Sequence, residues 1–335
     1  MSLGPKASIS EETPAPTADA AEERGPAEKA IAGRSLKQIA WRRLKKDRVA
    51  IGGGVVVIFL IVVAILAPVL TKLFGHPIDE YHIDQIDVTF GTPLKPWGGI
   101  SSDFLLGVEP TSGRDVFSRI VYGAQTSLTV AFLSAFFSTF LGVLFGTAAG
   151  FLGGWIDSVV SRVMDFLLAF PQLLFSIALV SVLPQSFLGM DSRWSRILVL
   201  VVVIGFFGWP YIGRIVRGQT LSLREREFVE AARSMGARSP RILFRELLPN
   251  LAAPILVYAT LIIPQNILTE AALSFLGVGI PPPNPSWGGM LSDAVSTYSI
   301  DPMYMIIPGA TIFITVLAFN LFGDGLRDAL DPKAR

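Results

Sequence analysis

Six long apolar runs constrain this chain more than any other feature of its sequence. They lie at roughly 50–71, 126–152, 157–183, 196–215, 251–276 and 304–323. Each is close to the length of about 20 residues that an α-helix needs to cross a bilayer. Charged residues make up only 16% of the chain, whereas soluble domains contain roughly 25%. The sequence therefore predicts an all-α, polytopic membrane protein with six transmembrane helices.

The distribution of Lys and Arg predicts how these helices are oriented. Basic residues are frequent at 34–48, before the first run, and at 214–245, after the fourth, whereas the segment 277–303 contains none. Since Lys and Arg concentrate in cytosolic loops, we expect both termini and the loop 216–250 in the cytosol. The net charge of +1 gives no indication of nucleic-acid binding, and a chain without cysteine has no disulfide or thiolate chemistry.

Composition divides the chain into three parts. Residues 1–34 are rich in Ala, Glu, Pro, Ser and Thr, which predicts a disordered cytosolic tail. A basic juxtamembrane segment follows at 35–49, and the membrane domain occupies 50–335. We expect two long outer loops, 72–125 and 277–303. The second contains three consecutive prolines, which are incompatible with a helix interior.

The cytosolic loop has the pattern of two short helices joined by a turn. Four of its residues recur at i, i+3, i+4 and i+7, as on one helical face: Phe228, Ala231, Ala232 and Met235. Gly236 follows and suits the left-handed residue at which many helices end. A second helix is expected from Ser239 to Pro249. On spacing alone, a rigid docking element and an amphipathic helix resting on lipid headgroups remain open.

Several motifs together resemble a known family of transport proteins. Glu230-Ala231-Ala232, then Gly236 and a closing Leu248-Pro249, resemble the EAA loop of ABC-importer permeases. Four further stretches resemble permeases of the dipeptide, oligopeptide and nickel importers, specifically the second of their two permease subunits: LLGVEPTSGRDVFSRIVYGAQTSL, MDFLLAFPQLL, EAALSFLGVGIPPPNPSWG and GDGLRDALDP. The resemblance covers about residues 35–333. Glu246 departs from it, because the family usually has an apolar residue two positions before the Leu.

The resemblance implies a type I ABC-importer permease fold and a place in the bacterial inner membrane. It implies a peptide importer in which this chain is a transport subunit rather than an enzyme. The expected partners are a second permease subunit, two ATPase subunits and an extracytoplasmic substrate-binding protein. ATP and Mg²⁺ are expected on the ATPase subunits and no cofactor on this chain, which has no phosphate-binding G-x-x-x-x-G-K-[ST] sequence.

The same resemblance assigns the 222–250 loop as the element that docks on an ATPase. The expected coupling residues are Phe228, Glu230, Ala231, Ala232, Met235, Gly236, Leu248 and Pro249.

Polar side chains within the apolar runs are candidate pathway residues, because such groups are costly in a membrane unless they serve a function. Gln265, Asn266 and Glu270 are expected in the outer half of the fifth run. Asp165 and Gln172 are seven residues apart and would share one face of a continuous third helix. The alternative for Glu270 is a local capping or pairing role, and the alternative for Asp165 and Gln172 is a hydrogen bond between helices.

A glycine repeat in the second run predicts close helix packing. Gly142, Gly146 and Gly150 recur every four residues and leave a groove on one helix face. The partner helix lies either within this subunit or in the second permease.

Two histidines and two carboxylates cluster in the first outer loop: His76, Asp79, Glu80 and His82. These are metal-ligand types, but a solvated loop carries such residues for other reasons, so no metal site is predicted.

An ion-coupled secondary transporter acting without ATPase partners is the alternative function. Such transporters show internal repeats and buried acid or base groups near mid-membrane, and the sequence shows neither clearly.

Overall fold

The computed structural model describes residues 41–330 except 185, 187 and 188. The predicted disordered tail 1–34, the first residues of the basic segment and the C-terminal 331–335 lie outside the described residues. Within the described part, the regular structure is almost entirely helical.

Ten helices organise this part of the chain. They are α1 (Arg48–Ile65), α2 (Ala67–Phe74), α3 (Val116–Leu152), α4 (Gly154–Ala169), α5 (Gln172–Val182), α6 (Ser192–Leu223), α7 (Glu227–Ser234), α8 (Leu248–Phe275), α9 (Trp287–Ala294) and α10 (Met303–Leu330). Short helical turns lie at Ile83–Gln85 and Ser239–Arg241, a left-handed turn at Pro96–Gly99, and a π-helical stretch at Ile242–Leu247. The strands β1 (Ile86–Asp87) and β2 (Thr92–Pro93) pair antiparallel in the first outer loop.

Five helical segments of the described chain are long and apolar enough to cross a membrane: α1, α3, α6, the continuous Ser239–Phe275 and α10. The pair α4–α5 passes the same test jointly but bends by 88°. Phe170 at this break is extended (φ −81°, ψ 141°), as expected before Pro171, because proline disfavours the α region for the residue preceding it. With the bent pair counted as one span, the total is the predicted six.

Helices extend beyond the apolar runs into two of the segments predicted to lie between spans. α3 begins at Val116 rather than near 126, because the Asp115 carboxylate accepts hydrogen bonds from the backbone N–H groups of Phe117 and Ser118. The last ten residues of the segment 72–125, which the sequence assigns to the first outer loop, are therefore helical. α6 likewise continues to Leu223, eight residues past the end of the fourth apolar run at 215. Hydropathy reports the bilayer-facing part of a helix and not its polar ends.

The glycine repeat packs against a helix of this subunit, which was one of the two partner helices that the sequence left open. α3 lies directly against α6 along this groove. A Cβ built on Gly146 would lie 2.6 Å from the carbonyl oxygen of Gly213, and one on Gly150 would lie 2.7 Å from the Thr220 Cβ. Gly142 meets Ile212 in the same way, at 2.7 Å. The two backbones approach so closely that no side chain fits between them.

Candidate coupling site

Helix α7 packs one of its faces against the rest of the chain. Val229 and Ala232 are buried in a small apolar cluster with Ile242 and Leu247 of the π-helical stretch. Ala232, which the sequence grouped with Phe228 in the docking stripe, lies at the inner edge of that stripe and is buried rather than exposed. Val229 and Ala232 lie one turn apart and share the inward face.

The opposite face of α7 is free in this chain. Phe228, Ala231 and Met235 are exposed, and Met235 retains 81% of its accessible surface. Glu230, also exposed, lies beside them. Large apolar side chains outside the membrane spans, held on a rigid helix and rimmed by charges, are typical of a protein interaction surface.

The turn after α7 is a Schellman motif. Gly236 has φ +79°, its N–H donates to the carbonyl of Arg233 (2.9 Å), and the N–H of Ala237 donates to that of Ala232 (3.0 Å). This is the 5→2 and 6→1 pattern that closes a helix with a left-handed residue. The predicted left-handed stop at Gly236 is confirmed. A Cβ at Gly236 would meet no atom within 4 Å, so only the backbone conformation calls for glycine.

The π-helical stretch explains why Glu246 stands at a usually apolar position. In an α-helix, Ile242 and the residue four positions later share a face, but a π-helix widens this spacing to five. Leu247 is therefore the residue that turns inward with Ile242, and both are buried. Glu246 stays half-exposed, and its carbonyl accepts a hydrogen bond from Asn250 Nδ2 at 2.6 Å.

The loop is fixed to the bundle at both ends. Arg224, just after α6, donates from Nη1 to the carbonyl of Gly150 at the end of α3 (3.0 Å). At the other end, half-buried Leu248 and exposed Pro249 lie where the π-helical stretch passes into α8. The helix then runs without interruption into the fifth span.

The structure places the predicted pathway residues of α8 in different surroundings. Gln265 is exposed, whereas Asn266 and Glu270 are buried within the subunit. Asn266 donates to the carbonyl of Ala131 (3.4 Å), and Ser274 donates to Glu270 Oε1 (2.7 Å). Neither side chain faces an open path here, so the expectation for these two is corrected in favour of local hydrogen bonding.

Asp165 and Gln172 do not share a helix face, because the bend at Pro171 separates them onto α4 and α5. Asp165 is exposed and accepts a hydrogen bond from Arg214 of α6 at 2.6 Å. That pairing matches the alternative of a bond between helices. Gln172 is half-exposed at the start of α5.

The outer histidines form an aromatic cluster. The ring centroids of His76 and His82 are 4.7 Å apart, and both rings pack on Phe104. Asp79 and Glu80 are exposed. No three acidic, His or Cys side chains between 41 and 330, the masked positions aside, are arranged to hold a metal.

A charged network on the outer side was not predicted. Buried Glu109 accepts from Tyr304 Oη at 2.5 Å and from Arg114 Nε, and Arg119 lies 3.9 Å away. Burial by itself raises the pKa of Glu109, but Arg119 and Arg114 together hold it below its ordinary value. Arg119 also approaches Asp293 of α9 at 3.6 Å. The network thereby joins the first outer loop, α9 and the start of α10.

A second unpredicted pair joins α4 and α6 at the end of the bundle that carries the coupling loop. Arg217 donates from Nη2 to Asp157 Oδ2 at 2.7 Å and from Nε to Oδ1. The partners are 60 positions apart in sequence, and no local pattern signals such a pairing.

The comparisons with known proteins agree with this architecture. The profile of the family described as "binding-protein-dependent transport system inner membrane component" matches residues 142–335. The N-terminal transmembrane domain of oligopeptide transport permease C matches 35–96. The glutathione transport system permease protein GsiD of Salmonella typhimurium is 44% identical over 296 residues, which is 88% of this chain and 90% of that protein. The dipeptide transport system permease protein DppC of Alkalihalophilus pseudofirmus is 39% identical with the same coverage.

A solved structure supports the fold independently. A chain of the MetNI methionine ABC transporter, in an inward-facing conformation, superposes with a TM-score of 0.51 at 20% identity, covering 64% of this chain and 97% of that one. With its apolar helices, the chain is a multi-pass protein of the bacterial inner membrane, and it belongs to the binding-protein-dependent inner membrane components, as an ABC-importer permease of the peptide family with the type I fold.

Proposed function

We propose that this chain is one of two different permease subunits of an ATP-driven peptide importer, and that it forms half of the translocation pathway. The observation that carries the proposal is the free apolar face of α7 on a loop fixed at both ends. The names of the relatives, which refer to glutathione and to dipeptides, support a small peptide as the substrate.

In this proposal, the exposed face of α7 docks on a cytosolic ATPase subunit. Phe228 and Met235 supply the apolar contact, with Ala231 between them allowing close approach. Two ATPase subunits bind ATP and Mg²⁺, a second permease completes the pathway, and an extracytoplasmic binding protein delivers the peptide. Gln265, which is exposed on α8, remains a candidate for lining the pathway.

Coupling follows from the stiffness of the connections to α7. The inward face of α7 is packed on the π-helical stretch, which continues without a break into the fifth span. Movement of a docked ATPase therefore displaces α8 together with α7. Two states of the pathway are favoured in turn if the ATPase contacts α7 differently in its open and closed forms.

The test is transport by the reconstituted complex. The chain, its second permease and both ATPases are placed in vesicles with the binding protein outside, and uptake of a labelled dipeptide and of glutathione is measured. We expect uptake of at least one of them to require ATP. A proton-gradient-driven uptake by the isolated chain would refute the proposal.

A paired substitution tests the docking surface itself. Phe228→Ala combined with Met235→Ala should reduce co-purification of the ATPase subunits while the chain still inserts and folds. Phe136→Ala removes an equally large exposed side chain from α3 and should leave the ATPases bound. Equal binding by both variants would place the docking surface elsewhere.

A further inference from the structure

The pair between Asp157 and Arg217 has a geometry that fixes orientation. Two nitrogens of one guanidinium face the two oxygens of one carboxylate, and such bidentate pairing holds both planes in register. The two side chains are 22% and 30% exposed, so solvent screens the pair only in part. Asp157 lies in the first turn of α4, where a negative charge also suits the helix dipole.

The pair belongs to a junction of three helix ends. Beside it, Gly150 near the end of α3 lies against Thr220 of α6, and its carbonyl accepts from Arg224. α3 is thus tied to α6 by close backbone packing, while α4 is tied to α6 by the Asp157–Arg217 pair. A second, more exposed ion pair, Arg214 with Asp165, joins α4 and α6 two turns farther along α4.

This junction lies directly before the coupling helix. Residues 224–226 alone separate α6 from α7, and the N–H of Arg226 donates to the carbonyl of Leu223 at 3.1 Å. Leu223 and Phe151 pack on the buried cluster of α7. The end of α6 therefore moves with α7, and whatever is attached to that end moves too.

We propose that Asp157 and Arg217 are positioning residues of the transport cycle, carrying the displacement of α7 through α6 into α4 and the bent pair α4–α5. This inference rests on the proposed function, since it requires that α7 is moved by an ATPase. It adds a second route beside the one through α8. Without the pair, α4 is held to α6 less tightly, by packing and by the more exposed Arg214–Asp165 pair, so ATP hydrolysis continues while fewer peptides are moved per ATP.

The experiment measures peptide uptake and ATP hydrolysis in the same vesicles of the complete complex. Asp157→Asn and Arg217→Gln are each expected to lower the uptake per ATP hydrolysed by roughly three- to tenfold, which lies within the range of effects seen for single residues in a coupling network. The double variant Asp157→Arg with Arg217→Asp re-forms the pair with its charges exchanged and should recover most of the ratio. Arg162→Gln, which removes an exposed charge from the same helix, is the matched control and should behave as wild type.

Three results overturn the proposal. The first is an unchanged ratio in both single variants. The second is a lowered ratio in the single variants that the charge-exchanged double variant does not restore, because a general disturbance of α4 would explain that pattern. The third is a lower melting temperature of the complex in step with the lost uptake, since the pair then only fastens two helices. If the assembled wild-type complex shows no ATP-dependent uptake, the proposed function is refuted and this inference is refuted with it. If the wild-type complex takes up peptide and the Asp157→Asn variant does so equally well per ATP, this inference alone is refuted.

Discussion

Replacing Gly236 tests whether coupling depends on the conformation of one turn. The residue has φ +79° and open space where a Cβ would stand, so the cost of a substitution comes from the backbone. A left-handed conformation costs an ordinary L-residue roughly 1–2 kcal/mol, and a β-branched residue more. Since about 1.4 kcal/mol corresponds to a factor of ten, the native turn becomes roughly five- to thirtyfold less favoured. We expect Gly236→Asn to be mild, Gly236→Ala intermediate and Gly236→Val severe, because Asn adopts this conformation readily.

The assay is ATP-dependent peptide uptake together with stimulated ATP hydrolysis in vesicles. Gly236→Val should lose both while the chain is inserted normally, because the turn lies outside the spans. Gly218→Val is the matched control, since Gly218 is exposed, has open space around it and lies in regular helix. Wild-type uptake by Gly236→Val would refute the reasoning. Asn as damaging as Val would also refute it, because that result points to a direct contact rather than to the backbone.

Three further predictions, two of them with a control substitution, test the packing and the outer network. Leu247→Ala should lower the free energy of unfolding by about 2–5 kcal/mol because Leu247 is fully buried, whereas Glu246→Leu should change the melting temperature little, since the π-helical spacing keeps that position half-exposed. Gly146→Ala should abolish recovery of folded protein from detergent, because its Cβ would lie 2.6 Å from a backbone carbonyl of α6; Gly52→Ala, with nothing within 4 Å, should not. Glu109 has a pKa lowered from 4.5, so its ionised form stabilises the fold above that pH and loses this contribution as the pH falls through the lower folded pKa. The melting temperature of Glu109→Gln should therefore lie below that of wild type by a constant amount above pH 4.5 and approach it in more acid solution.

The sequence was most informative where a local rule acts on a few neighbouring residues. Apolar runs of bilayer length predicted the spans, because each run reports its own surroundings. Gly236 was identified as a left-handed helix stop because that conformation excludes most other residues. The glycine repeat on α3 predicted a close helix approach, but only the fold could show that the approaching helix is α6.

Contacts between distant segments were outside the reach of such rules. Glu270 looked like a candidate for an open pathway because a carboxylate in a span is costly, yet the structure satisfies it in part with Ser274 inside the subunit. Asp157 and Arg217 meet only because α4 packs against α6. Ala232 was expected on the docking surface but is buried, because periodicity defines a stripe of residues and does not say which edge of it turns inward.

The attachments of the coupling loop determine how many spans one ATPase can move. α7 is short and buries little of its own surface, so it holds its position through its neighbours rather than by itself. One neighbour is the end of α6, attached by Arg224 and by the packing of Leu223. The other is the continuous helix that begins at Ser239 and becomes the fifth span. Because both attachments are stiff, α7 cannot shift without displacing α6 and α8 together. Spans four and five are therefore expected to move as one body, and a substitution in the Asp157–Arg217 pair should leave that joint movement intact while loosening the attachment of α4 to it.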